Sequence, residues 1–149
     1  MSQPLATRLA LLQDPTVAVD QAAPQRKMGR HIASQGFCRA LARHGGAEPI
    51  QIQRGLPSPA LRQPHQPWEA LFAGDPNLEP LARERLWGDP RRYSLIGLTH
   101  TLSTPGPLRL LPELPQAPLH PWDALICTSR AAQSAVEALW AQAEALWRC

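Results

Sequence analysis

A chain of 149 residues, 44% of them apolar, has the length and composition of one globular domain with an enclosed core, not of a disordered segment. The net charge of +3 rests almost wholly on arginine, Lys27 being the only lysine; with no run of five basic residues and 5% aromatics, the chain lacks the basic–aromatic interleaving of a nucleic-acid binder. No apolar run reaches the roughly 18–20 residues that span a bilayer, and Met1–Thr7 has no basic start of the kind that opens a secretory signal, so no integral membrane segment and a cytoplasmic location are expected.

Arg8–Leu12, an apolar run that stops at Gln13-Asp14-Pro15, reads as a buried first strand followed by a loop over Thr16–Ala23. Pro24 suits the first turn of a helix, because its missing N–H costs nothing there. Met28, Ile32, Phe37 and Leu41 then recur at helical spacing until His44-Gly45-Gly46, where glycine can take the left-handed cap conformation. Pro49–Gln53 alternates apolar and polar residues and reads as a second strand at a sheet edge. Residues 54–90 are broken by Pro57, Pro59, Pro64, Pro67, Pro76 and Pro80. They read as a Pro-rich insertion wrapping the surface, with a helical piece at Leu78–Trp87 and a shorter turn anchored by Trp68 and Phe72.

Tyr93–Arg130 is the most informative stretch. A strand over Tyr93–Leu98 delivers Thr99-His100-Thr101. After a Pro-broken linker, a second strand over Asp123–Cys127 delivers Thr128-Ser129-Arg130 where a helix begins. Cys127 is expected to be buried in that strand. The last helix, from Ser129 on, is amphipathic, and Leu139, Trp140, Leu146 and Trp147 give it more apolar bulk than a terminal surface helix needs. Self-association through this helix is therefore expected. The order of elements predicts a single α/β domain over 1–149, with a Rossmann-like, mainly parallel sheet flanked by helices.

In open α/β sheets the ligand crevice lies outside the carboxyl ends of the strands, so two strands ending in hydrogen-bonding side chains predict one shared site. His100, between two threonine hydroxyls, can hydrogen-bond a ligand hydroxyl or exchange a proton near neutral pH. A lone histidine is also a common structural residue. Thr128 or Ser129 is a natural N-cap, a role that needs no ligand; the same helix start with Arg130 also suits a phosphate. Asp14 and Thr16 occupy the loop after the first strand, where ligands are contacted in this class. That loop has no G-x-G-x-x-G, P-loop or G-x-S-x-G pattern, which disfavours a dinucleotide site, a nucleotide-triphosphate site and an α/β-hydrolase. Three scattered cysteines and five histidines without i+3 or i+4 pairing give no metal-ligand spacing, so neither a metal nor a cofactor is expected.

RLALLQDP at the start, IGLTHTLS in the middle and WDALICTSRAAQSAVEAL at the end resemble the N-terminal domain of GT-B glycosyltransferases. The likeness is closest to the retaining group that uses nucleotide sugars, the family 4-like enzymes. The most specific part is the D-x-apolar-x-x-x-S strand-to-helix turn, here Asp123–Ser129, with Arg130 soon after. The resemblance implies a nucleotide-sugar donor and an acceptor that the sequence does not identify. It gives His100 a contact with the donor sugar or the reacting centre, and Thr99, Thr101 and Ser129 the holding of hydroxyls or phosphate. The usual Gly-rich loop after the first strand is replaced by Asp14-Pro15-Thr16. The family's second domain, which carries most of the donor site, has no counterpart in this sequence, so the chain is expected to be an acceptor-binding half, inactive by itself. The alternative from a different class is a non-catalytic α/β interaction module that engages a partner through the Pro-rich 54–90 region.

Overall fold

The computed structural model describes residues 9–13, 29–45, 48–51, 69–100 and 102–148. Five strands, β1 (Leu9–Gln13), β2 (Glu48–Gln51), β3 (Ala70–Phe72), β4 (Ser94–Thr99) and β5 (Ala124–Cys127), form one sheet in the order β2-β1-β3-β4-β5. Every neighbouring pair is parallel. The chain steps from β1 outward to β2, then crosses back over β1 to β3, so the order reverses beside β1. This is the doubly wound, Rossmann-like arrangement that the element order predicts.

Parallel strands need crossovers, and those described are helical. Helix α1 (Gly29–Gly45) joins β1 to β2, α2 (Glu79–Leu86) joins β3 to β4, and α4 (Arg130–Trp147) follows β5. Between β4 and β5 run a short helix α3 (Pro105–Leu110) and a 3₁₀ segment (Leu111–Gln116). Side chains alternate across each strand, and the helices divide accordingly. On one face, Cys38 and Leu41 of α1 pack on Leu11, Phe72 and Leu98, and Phe37 meets Phe72 with ring centroids 5.0 Å apart. On the other, Leu78 and Ala82, Leu111 and Leu114, and Val136 cover Ala10, Leu71 and Leu95.

Three expectations need correction. The Pro-rich 54–90 region does not simply wrap the surface: Phe72, expected in a turn, belongs to β3, which lies in the middle of the sheet, and Ala70–Ala73 are all buried. A strand covered on both faces shows an unbroken apolar run instead of alternation, and a run of three residues beside prolines carries no periodic signal. The Trp68 half of that expected turn lies outside the described residues. The linker after β4 is helical, because each of its two helical pieces begins with proline in the first turn, where proline is tolerated. Finally, β5 is an edge strand, and Cys127 is half-buried instead of enclosed. Ile126 on its opposite face stays open.

At the amino ends of β4 and β5 lies a buried ion pair. Arg85 Nη1 and Nη2 donate to Asp123 Oδ1 and Oδ2 at 2.8 and 2.7 Å, with side chains 0% and 2% exposed. Arg85 also donates to the carbonyls of Tyr93 and Pro118, while Asp123 accepts from the backbone N–H of Leu95 and His120. One guanidinium and one carboxylate thus join α2, the start of β4 and the approach to β5. The nearly complete hydrogen bonding is what makes such a desolvated pair tolerable.

Candidate functional site at the carboxyl edge of the sheet

The pairing of β4 with β5 places Thr99 opposite Cys127. Thr99-His100 and Thr128-Ser129 therefore leave the sheet side by side, at the edge opposite the buried ion pair. Between them lies an open groove of about 360 Å³. Thr99, His100 and Leu102 line one side; Thr128, Ser129 and the small residues Ala131, Ala132 and Ala135 of α4 line the other. The alanines leave room along the first two turns of the helix, where larger side chains would fill the space. A volume of this size lies within the range of small-molecule sites.

The residues in the groove have different duties. Thr99 is buried, and its Oγ1 donates to the Ile126 carbonyl at 3.3 Å and accepts from the Thr128 N–H at 3.4 Å. It staples the two strand ends together, so its hydroxyl is already engaged with protein. Ser129 is extended (φ −157°, ψ 163°), and its Oγ accepts from the Ala132 N–H at 3.1 Å, the geometry of an N-cap. A cap of this kind satisfies one of the four N–H groups that a helix start leaves without intrahelical partners. Arg130 stands exposed in the first turn, and no acidic residue accompanies it there.

His100 is half-buried, with Nε2 3.1 Å from the Gly74 carbonyl. A carbonyl only accepts, which assigns the proton of the neutral ring to Nε2 and leaves Nδ1 as its acceptor. That carbonyl belongs to the turn after β3. The turn is tied down in three places: Ala73 N–H donates to Ile96 O at 2.8 Å, Leu98 N–H to Asp75 O at 3.3 Å, and Asn77 N–H to Asp75 Oδ1 at 3.0 Å. Gly97 of β4 permits this close approach, since a Cβ there would stand 3.1 Å from the Asp75 carbonyl oxygen and 3.0 Å from Leu125 Cδ1.

Of the residues singled out in the sequence, the structure brings His100, Thr99, Ser129 and Thr128 to one groove, with Arg130 beside it on α4. Thr101, Asp14 and Thr16 lie outside the described residues. Gly74 and Gly97 were not anticipated; the only trace of them was the Gly74-Asp75-Pro76 turn signal and a glycine inside an apolar strand. Arg85 was missed as one arginine among many. Among the described residues, no group of three or more His, Cys, Asp or Glu side chains is placed to hold a metal ion, and no helix is long and apolar enough to cross a membrane. No family model, curated protein or solved structure matches the chain.

Proposed function

We propose that this chain is the acceptor-side domain of a GT-B, nucleotide-sugar-dependent glycosyltransferase. Its carboxyl-edge groove would hold a sugar or an acceptor hydroxyl beside His100. The observation that carries this reading is the convergence of His100 and the first turn of α4 on one groove in a doubly wound parallel sheet. The sequence resemblance supports it independently, through Leu95–His100 and Asp123–Arg130.

The chemistry asks little of such a half-site beyond placement. Transfer from a nucleotide sugar passes through an oxocarbenium-like state, and holding the reactants in line can supply about 7–11 kcal/mol of the barrier. In the proposed arrangement the Gly74 carbonyl fixes the imidazole, so that Nδ1 accepts a hydrogen bond from a sugar hydroxyl. The uncapped N–H groups of α4 and Arg130 provide a positive end for oxygen-rich or anionic groups. Thr99 positions both strand ends and does not itself bind. Of the region through which the alternative interaction module would engage a partner, Ala70–Phe72 form a central strand of the sheet, and residues 54–68 lie outside the described residues.

Saturation-transfer NMR on the 149-residue chain tests the proposal, with glucose, mannose, galactose and their nucleotide diphosphate derivatives as probes. The expected result is weak binding of at least one hexose or nucleotide sugar, lost in His100→Ala while the fold is kept. Binding of none of them, or binding indifferent to His100→Ala, would overturn it.

A further inference from the structure

The lining of the carboxyl-edge groove is sorted by polarity. Among the described residues, its polar side chains stand where the chain leaves the sheet: Thr99 and His100 at the exit from β4, Thr128 and Ser129 at the exit from β5. Beyond them the lining turns apolar. Ala131, Ala132 and Ala135 follow on α4, and Ala135 lies six residues past Ser129, about 9 Å along the helix axis at 1.5 Å per residue. Leu102 lines the other side, half-buried and packed on the core cluster that holds Val136.

The polar end has a particular hydrogen-bonding capacity. Thr99 Oγ1 gives its proton to the Ile126 carbonyl. The His100 Nε2 proton goes to the Gly74 carbonyl, so Nδ1 is left as an acceptor. Ser129 Oγ accepts from the Ala132 N–H, and its own proton is left to donate. An acceptor on one strand exit and a donor on the other are the complement of a hydroxyl group, which both donates and accepts.

We infer that the groove takes an acceptor with a hydroxyl at one end and an apolar body behind it, a phenol or a compact alicyclic alcohol, in preference to a free sugar. This rests on the reading of the groove as the acceptor side of a transferase, and adds the chemical class of the acceptor. The hydroxyl meets His100 Nδ1 at the strand exits, and the body lies along the alanines and Leu102. A hexose carries hydroxyls around its whole ring. Those turned to the alanine wall lose water and regain no hydrogen bond. The short alanine side chains set the width of the space, so a longer side chain at Ala131 occupies the place of the body.

The test is chemical-shift titration of the isotope-labelled full chain with 4-methylphenol, 4-methylanisole and the three hexoses. 4-Methylphenol is expected to bind about tenfold or more tighter than any hexose, the scale of a buried methylene or two, and to shift Leu102, Ala131, Ala132 and Ala135. 4-Methylanisole has the same body but no proton to give Nδ1. It is expected to bind about fivefold weaker than the phenol, the loss of one hydrogen bond, and His100→Ala should abolish that difference. Ala131→Leu, at an exposed position where leucine keeps the helix, should weaken 4-methylphenol about tenfold with the circular dichroism unchanged. Sugars that bind in the groove while 4-methylphenol binds no tighter would overturn this inference and leave the proposed function standing. 4-Methylphenol bound as expected, with no hexose or nucleotide sugar bound, would uphold the acceptor class and overturn the donor part of that reading. Binding of no probe would overturn both. Equal affinity for 4-methylphenol and 4-methylanisole would mark an unselective apolar surface and overturn the inference.

Discussion

Arg85 and Asp123 show how much of the fold rests on two side chains. Removing one partner leaves the other as an uncompensated buried charge, so Arg85→Ala should cost about 3–5 kcal/mol in denaturant unfolding. The double variant Arg85→Met/Asp123→Leu should recover only part of this, because the N–H groups of Leu95 and His120 then lose their acceptor. Burial pushes the Asp123 carboxyl up, but hydrogen bonds from Arg85, His120 and Leu95 outweigh it and hold the carboxyl below its usual 3.8. A lowered folded-state value stabilises above the unfolded pKa, and that contribution is lost as pH falls through the folded one. Tyr93 behaves in the opposite way. Burial pushes its phenol from 10.0 to about 12, against the pull of Arg85 and Arg92. Its contribution is therefore full below pH 10 and is lost as pH rises through about 12. Tyr93 is the only tyrosine, so tyrosinate absorbance reports it alone; ionisation near 10 in the folded chain would contradict the buried position.

Between elements, the critical contact is the crossing of the β3–α2 turn over β4. A methyl group at Gly97 would meet the Asp75 backbone carbonyl at 3.1 Å, and backbone cannot swing aside as a side chain can. Gly97→Ala should therefore destabilise by about 1–3 kcal/mol, the usual cost of overpacking. It should also disturb His100, whose ring partner is in the same turn. Thr99→Val removes the staple between β4 and β5 and should cost about 1–3 kcal/mol, since it strands a buried polar group. Loss of stability in thermal melts without loss of groove geometry in the His100 spectrum would separate the Thr99 effect from the Gly97 effect.

Elements with a period of their own were legible in the sequence. Helix α4 announced itself through Val136, Leu139 and Ala143 with a serine cap. Three strands, β1, β4 and β5, fell within a residue of where their apolar runs end in turn-forming residues. What escaped was set by tertiary context. Three-residue β3 owes its strand to pairing with β1 and β4, and the 3₁₀ segment owes its place to the cover that Leu111 and Leu114 provide over the sheet. Trp140 and Leu139, two of the four residues read as surplus apolar bulk on the last helix, are in part covered: Trp140 donates its Nε1 to the Leu111 carbonyl at 2.9 Å, and Leu139 packs on the core. The Trp140 contact could not be read from a helical wheel, because the 3₁₀ segment that receives it was itself unseen.

For the whole molecule, parallel order accounts for the separation of its two poles. All five strands point their carboxyl ends one way, so polar strand exits gather at one edge while helix ends and the buried ion pair gather at the other. The pairing of His100 with Ser129 was anticipated from strand ends alone, because residues that leave adjacent parallel strands in register must emerge together. The partnership of His100 with Gly74 was not, since it depends on a turn whose strand was unrecognised. In the proposed function the ligand enters at the carboxyl edge of the sheet, and not at the amino edge that holds the buried ion pair. Amide chemical-shift mapping of the isotope-labelled chain during titration with hexoses and nucleotide sugars tests it most directly. Perturbations are expected to concentrate at Thr99, His100 and Thr128–Ala132, with Gly74 responding through the imidazole. Perturbations centred on Trp87, Trp122 and Trp147 with the groove silent would contradict it.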